Sequence, residues 1–168
     1  MNKIGLFYGS NLGSTMEIAE RIKDKLNEKA DIYNIADASK ETIEKYSNLI
    51  LGTSTWGYGE LQDDWSAFLE YNPKINLSNK KVALFGLGDQ DSHQDVFVNG
   101  IGKLFDYIKK NGAEVIGMWP TSNYEYGNDT TAIRDEMFVG LPLDEINQPE
   151  LTEERINRWL EIILKELY

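Results

Sequence analysis

Apolar residues along the chain fall into two alternating patterns. Five short runs have the length and side-chain types of β-strands: residues 3–8 (KIGLFY), 31–35 (DIYNI), 49–53 (LILGT), 82–86 (VALFG) and 115–119 (VIGMW). Three of them are apolar without alternation, the pattern of strands covered on both faces. Between the runs, apolar residues recur at helical spacing. Ile18, Ile22 and Leu26 mark a first helix, and Leu61, Trp65, Phe68 and Leu69 a second. Ile101, Leu104, Phe105 and Ile108 mark a third, and Ile156, Trp159, Leu160, Ile163 and Leu167 the last. A weaker helical pattern covers residues 39–46. Such alternation implies an α/β fold, a parallel sheet with right-handed crossovers and helices on both faces.

One stretch breaks the rhythm. Residues 121–136 (TSNYEYGNDTTAIRDE) are polar and turn-rich, and residues 137–141 then return to an apolar strand-like run. This pattern predicts a long insertion interrupting the fifth strand, and loops of that length in compact domains are usually functional or disordered. No linker or repeat divides residues 1–168, so a single domain is expected.

Composition narrows the chemistry. With 17 Lys and Arg against 28 Asp and Glu, the formal net charge is −11. Nucleic acid and anionic membrane would be repelled, and the charge fits equally the steering of basic protein partners or simple solubility. There is no cysteine, which removes disulfides and thiolate chemistry, and His93 is the one histidine, too few for a cluster of His and Cys metal ligands. The opening residues lack the apolar stretch of a signal peptide and no segment is long enough to span a membrane, so a cytoplasmic location is expected.

In open parallel sheets, ligands bind beyond the carboxyl ends of the strands, where strand order reverses. Three loops leave strands there. The first, residues 9–15, combines Gly9 and Gly13 with the hydroxyls of Ser10, Ser14 and Thr15 ahead of a helix N-terminus, a neutral anion cradle. The same residues fit a helix start alone, because Ser14-Thr15-Met16-Glu17 matches a capping box. The second loop presents Trp56 and, between Gly57 and Gly59, Tyr58, a pattern that suits a flat ligand stacked on the indole or an aromatic that covers the end of the sheet. The third carries Gly88, Asp89 and His93, which by itself fits a solvated helix-start residue beside Ser92 as a cap.

Taken together the loops resemble those of the flavodoxin family, specifically its long-chain branch. The run from Leu6 to Thr15 resembles the phosphate loop, Thr55-Trp56 with residues 59–65 the flavin loop, and Gly86 to Gln90 the third loop. Residues 138–141, Leu143-Asp144-Glu145, Asn147-Gln148 and 151–156 resemble the closing segment. The resemblance implies a three-layer αβα sandwich around a five-stranded parallel sheet whose last strand carries the insertion. It also implies non-covalent FMN and low-potential one-electron transfer between redox enzymes, without turnover of a substrate by the protein itself. Ser10, Asn11, Gly13, Ser14 and Thr15 would wrap the phosphate, with the backbone N–H of Leu12. Ser54, Thr55 and Trp56 would lie along ribityl chain and ring, and Gly88 and Asp89 would meet the pyrimidine side. The Gly57–Tyr58 peptide, followed by Gly59, would turn its carbonyl toward the ring on reduction.

Three positions depart from the family pattern. Leu12 stands where the family usually has Thr, Ile146 where long-chain members often have Asp, and His93 where most place a stacking Tyr. Either His93 or Tyr58 would then supply the second stacking face. A stacked His93 would make its charge part of the redox tuning. Carboxylates at Glu60, Asp63, Asp64, Asp89, Asp91 and Asp95 would oppose added negative charge and dock basic partners, a flavodoxin reductase or low-potential oxidoreductases. A monomer is expected. The rival enzyme reading is an FMN-dependent NAD(P)H:quinone or azo reductase. A phosphoacceptor receiver domain lacks its acidic residues here, where Tyr8-Gly9-Ser10 and Thr53-Ser54 stand.

Overall fold

The computed structural model describes all residues, Met1–Tyr168. In chain order the elements are β1 (Ile4–Tyr8), α1 (Ser14–Leu26), β2 (Ala30–Asn34), α2 (Lys40–Glu44), β3 (Asn48–Trp56), β4 (Glu60–Leu61) and α3 (Asp63–Tyr71). They continue with β5 (Lys81–Leu87), α4 (Asn99–Lys110), β6 (Glu114–Ile116), β7 (Trp119–Pro120), β8 (Ile133–Arg134), β9 (Met137–Phe138), β10 (Leu141–Leu143) and α5 (Thr152–Ile163).

The main sheet runs β2-β1-β3-β5, all parallel, and its fifth position is shared by two pieces. β6 pairs with Lys81, Val82 and Ala83, and β10 with Phe85, Gly86 and Leu87. They are two halves of one edge strand, and residues 117–140 form the excursion between them. That excursion is wider than the polar stretch 121–136 suggests, and it builds its own antiparallel sheet, β7-β9-β8. The apolar run 115–119 is therefore split. Gly117, at φ 76, turns the chain off the sheet, and a Cβ there would press within 2.7 Å of Ile163. Trp119 pairs instead with Phe138 in the small sheet. The return run 137–141 is likewise divided, because Gly140 lies flat against the backbone of Leu84 and the main sheet resumes only at Leu141.

The apolar faces expected for the helices do form the core. Ile18, Ile22 and Leu26 of α1, Trp65 and Phe68 of α3, Ile101, Leu104 and Ile108 of α4, and Ile156, Trp159 and Ile163 of α5 are buried with the strand side chains. α1 packs on β1 and β2, α4 on β3 and β5, and α5 on β10. Two assignments shift. Leu61 is buried but belongs to β4, because β3 continues to Trp56 and folds back as a hairpin pairing Thr55 with Leu61 and Trp56 with Glu60. Leu167 lies past the end of α5, half-buried. The weak helix is real but short, with the Ser39 hydroxyl capping the Thr42 N–H.

The split edge is held by a buried carboxylate just after β10. Asp144, fully buried, accepts five N–H bonds: from the Gln90 backbone (3.0 Å) and side chain (2.9 Å), from the backbones of Ile146 (3.1 Å) and Asn147 (2.9 Å), and from the Asn147 side chain (2.9 Å). Burial alone would raise its pKa, but the bonds from Asn147 and Gln90 outweigh burial and hold it below the usual carboxylate range. Gln148 extends the network: its side chain accepts from Gln90 and Arg155, and donates to the Asn123 carbonyl. The Arg155 guanidinium also lies 4.1 Å from the Tyr124 ring centre, so α5 grips the excursion directly.

Because the folded pKa of Asp144 lies below the unfolded one, the ionised carboxylate stabilises the fold above the unfolded pKa, and this is lost as pH falls through the folded pKa. Asp144→Asn turns an amide NH2 toward N–H donors and is expected to cost about 1–3 kcal/mol at neutral pH. Denaturant melts of the two proteins should converge as pH drops below about 4. A pH-independent gap would contradict the assignment.

Candidate functional site

The three expected loops do meet, at the carboxyl ends of β1, β3 and β5. Strand order reverses between β1 and β3, which lie side by side with Tyr8 opposite Gly52. The cleft there has a volume of about 340 Å³.

On its first wall, the chain leaves β1 and Gly9 packs so closely that a Cβ would stand 2.1 Å from Gln62 Oε1 and 2.6 Å from Trp65. Gln62 is fully buried and spans the loops, donating to Asn11 Oδ1 (2.7 Å) and accepting from the Trp65 N–H (3.1 Å). The capping box suggested by Ser14 and Glu17 is not formed. Gly13 is the N-cap residue, at φ 96, and no side chain caps the helix. Ser10 Oγ accepts from the Gly13 N–H instead (3.0 Å). The first-turn N–H donors of α1 and its positive dipole end therefore face the cleft beside Ser14 and the buried Thr15, with no basic side chain among them.

The second wall comes from the β3–β4 hairpin. Trp56 is 36 % exposed, and its indole N–H is fixed on Ser54 Oγ (2.6 Å), leaving a ring face at the cleft. Thr55 Oγ accepts the Gly100 N–H at the start of α4 (2.8 Å). Gly57 and Gly59 both adopt positive φ, and the hairpin tip throws Tyr58 outward, 76 % exposed.

The third wall follows β5. Asp89 organises its own loop, its Oδ1 accepting from Ser92 N (3.0 Å), Asp91 N (3.0 Å) and the Asn147 amide (2.8 Å). The Ser92 backbone bond is the main reason its carboxyl sits below the usual range. His93 is exposed on this loop.

Of the residues singled out from sequence, Ser10, Asn11, Leu12, Ser14, Thr15, Ser54, Thr55, Trp56, Gly57, Gly88, Asp89 and His93 line the cleft. Gly13, Tyr58 and Gly59 do not. Between the two aromatic candidates for a second face, His93 reaches the cleft and Tyr58 points to solvent. Ile146, noted from sequence as a departure from the family pattern, also lines the cleft, and five lining residues are not among the site residues the sequence suggests: Leu87, Val96, Phe97, Val98 and Glu145. The apolar triplet 96–98 after a polar loop was the available signal for three of them. Glu145 pairs with Arg21 of α1 (3.1 Å) and accepts from Thr152 (2.8 Å), which seals the closing segment onto the first wall. No helix is long and apolar enough to cross a membrane.

Comparison with known proteins agrees with this geometry. A family model described as flavodoxin matches residues 6–159. The flavodoxin of Klebsiella pneumoniae is 42 % identical over 166 residues, covering 98 % of this chain and 94 % of the relative. Flavodoxin 1 of Azotobacter vinelandii is 43 % identical over 171 residues, covering 99 % and 98 %. Among solved structures, Fusobacterium nucleatum flavodoxin bound to flavin mononucleotide superposes with a TM-score of 0.94 at 37 % identity, covering 100 % of both chains. Oxidised flavodoxin 1 from Bacillus cereus gives 0.73 at 25 % identity, covering 99 % of this chain and 100 % of the other. A cleft at the switch point of a parallel sheet, walled by an uncapped helix start and an indole face, occurs here in a chain matched from end to end by flavodoxins, and the chain belongs to the flavodoxin family.

Proposed function

We propose that the cleft holds FMN non-covalently and that the chain, working as one domain, carries electrons one at a time between redox enzymes. The observation that carries this reading is the uncapped N-terminus of α1, whose donors and hydroxyls suit a phosphate, set in one cleft with the half-exposed Trp56 face, which suits a flat ring. Ser10, Asn11, Leu12 N–H, Ser14 and Thr15 take the phosphate, and Gly13 shapes the turn that presents them. Ser54, Thr55 and Trp56 take the ribityl chain and one ring face, Gly57 at the hairpin tip borders the ring, and Gly88 and Asp89 meet its polar edge. His93 takes the second face. Bound FMN supplies the redox chemistry, accepting and releasing single electrons. The protein binds it, shields it and sets its potential. Exposed carboxylates at Glu60, Asp63, Asp91 and Asp95 oppose added negative charge and keep that potential low.

A carrier of this kind purifies yellow and releases FMN on denaturation. It takes electrons from a chemical reductant and shows no steady NAD(P)H oxidation on its own. Sustained turnover of NAD(P)H by the isolated protein would favour a quinone or azo reductase instead.

Leu12 lines the cleft yet is 83 % exposed and offers only its backbone to an anion. A hydroxyl there adds a bond to a charged phosphate, about 1.5–3 kcal/mol. Leu12→Thr should therefore tighten FMN binding by roughly 10-fold or more, measured by fluorescence quenching on titration of the apoprotein.

The acidic rim steers basic redox partners to a monomeric carrier. Electron transfer with such a partner should slow as ionic strength rises, and Asp63→Lys combined with Asp91→Lys should slow it further at low salt. A rate indifferent to salt would rule out electrostatic docking.

A further inference from the structure

The excursion 117–140 contributes no residue to the cleft, yet it runs along the outer side of the cleft's third wall and bonds to it repeatedly. The Glu125 N–H donates to Gln90 Oε1 (2.7 Å) and the Gly127 N–H to the Gln94 carbonyl (2.9 Å). The Thr130 hydroxyl lies 2.7 Å from the Phe97 carbonyl and 2.9 Å from Asn99 Oδ1, which also accepts the Thr131 N–H (2.9 Å). Phe97 lines the cleft, and its ring meets Tyr124 at 5.9 Å between centres. Asn99 is buried at the start of α4 and reaches the second wall too. A Cβ on Gly59 would stand 2.8 Å from Asn99 Nδ2, and the next N–H, that of Gly100, is the one bonded to Thr55 Oγ.

The geometry points to Thr130 and Asn99 as positioning residues through which the excursion braces both aromatic-bearing walls of the cleft. Asn99 is the junction: the excursion bonds one side of its amide, and the hairpin carrying Trp56 packs on the other. Gln90 repeats the device at the head of the third loop, with every polar atom of its side chain engaged by Asp144, Gln148 or Glu125. Ordering the loops around a ligand and packing the excursion are then one coupled equilibrium, and by linkage each strengthens the other. This rests on the reading that the cleft takes FMN.

Thr130→Val keeps the shape and removes the hydroxyl, and Thr130→Ser keeps the hydroxyl. Asn128→Ala, on the same exposed stretch, serves as control. Apoprotein is titrated with FMN, and midpoint potentials of the loaded protein are measured. Amide exchange over residues 123–131 is followed with and without FMN. The brace predicts about 3- to 10-fold weaker FMN binding and a shifted midpoint potential for Thr130→Val, matching the worth of one bond. Thr130→Ser should restore both, and Asn128→Ala should change neither. In the unmodified protein, FMN should slow exchange at the Glu125, Gly127 and Thr131 amides, a readout that stands even if Thr130→Val folds poorly. Unaltered affinity and potential in folded Thr130→Val, or exchange at those amides indifferent to FMN, overturns the brace alone. Failure of the unmodified apoprotein to bind FMN overturns the site reading with it.

Discussion

The Asp144 carboxylate, buried and satisfied by five N–H donors without a directly bonded cation, fixes the half of the molecule that sequence patterning leaves loosest. A charge taken out of water is costly unless its acceptor sites are filled, so the chain must bring Gln90, Ile146 and Asn147 to one point. Doing so sets the third loop after β5, ends β10 and starts the closing segment at once. Through Gln148 and Arg155 the same network reaches Asn123, which fastens the excursion to α5. Without this point the interrupted edge strand has only three residues on each side of the break to pair with β5.

The cleft shows a second constraint working in the opposite sense. No buried side-chain nitrogen or oxygen lacks a partner, and although α4 and α5 also begin without a side-chain cap, the Gly100 N–H in the first turn of α4 is taken by Thr55 Oγ. At the start of α1 the side-chain cap is omitted, and the helix's first donors are presented to the cleft. A helix start without a cap typically sacrifices about 1 kcal/mol. In the function proposed above, the phosphate of FMN is the compensating acceptor. Gly13 makes the omission feasible, because its left-handed backbone turns the loop sharply into the helix and leaves Ser10, rather than Ser14, to hold the turn.

Legibility differed between these parts for physical reasons. The central strands and the main helices were plain in the sequence because full burial imposes continuous apolar runs and one-sided helical stripes. The three loops were legible because glycines, hydroxyls and aromatics cluster at strand ends. The capping box was a false signal: Ser14 and Glu17 have the right spacing, but whether Ser14 caps or enters the helix depends on the backbone at Gly13. The width of the excursion was obscured because residues 115–119 and 137–141 are apolar throughout, and apolar runs do not declare which sheet they join. Asn99 carried no local signal and Gln90 only its place in the third-loop run, since the partners that give them their roles lie about thirty residues away or more.

By itself the sequence determined the α/β architecture, the burial of each helical face and the chemistry gathered at the three loops, since each follows from short-range periodicity and residue type. The tertiary structure alone decided that the fifth strand breaks at Gly117 and resumes at Leu141. It also decided that His93 and not Tyr58 reaches the cleft, and that the excursion backs the third loop. These depend on contacts between residues distant in the chain, where hydrogen-bond satisfaction around buried groups such as Asp144 and Asn99 selects one arrangement from several that the local pattern allows equally.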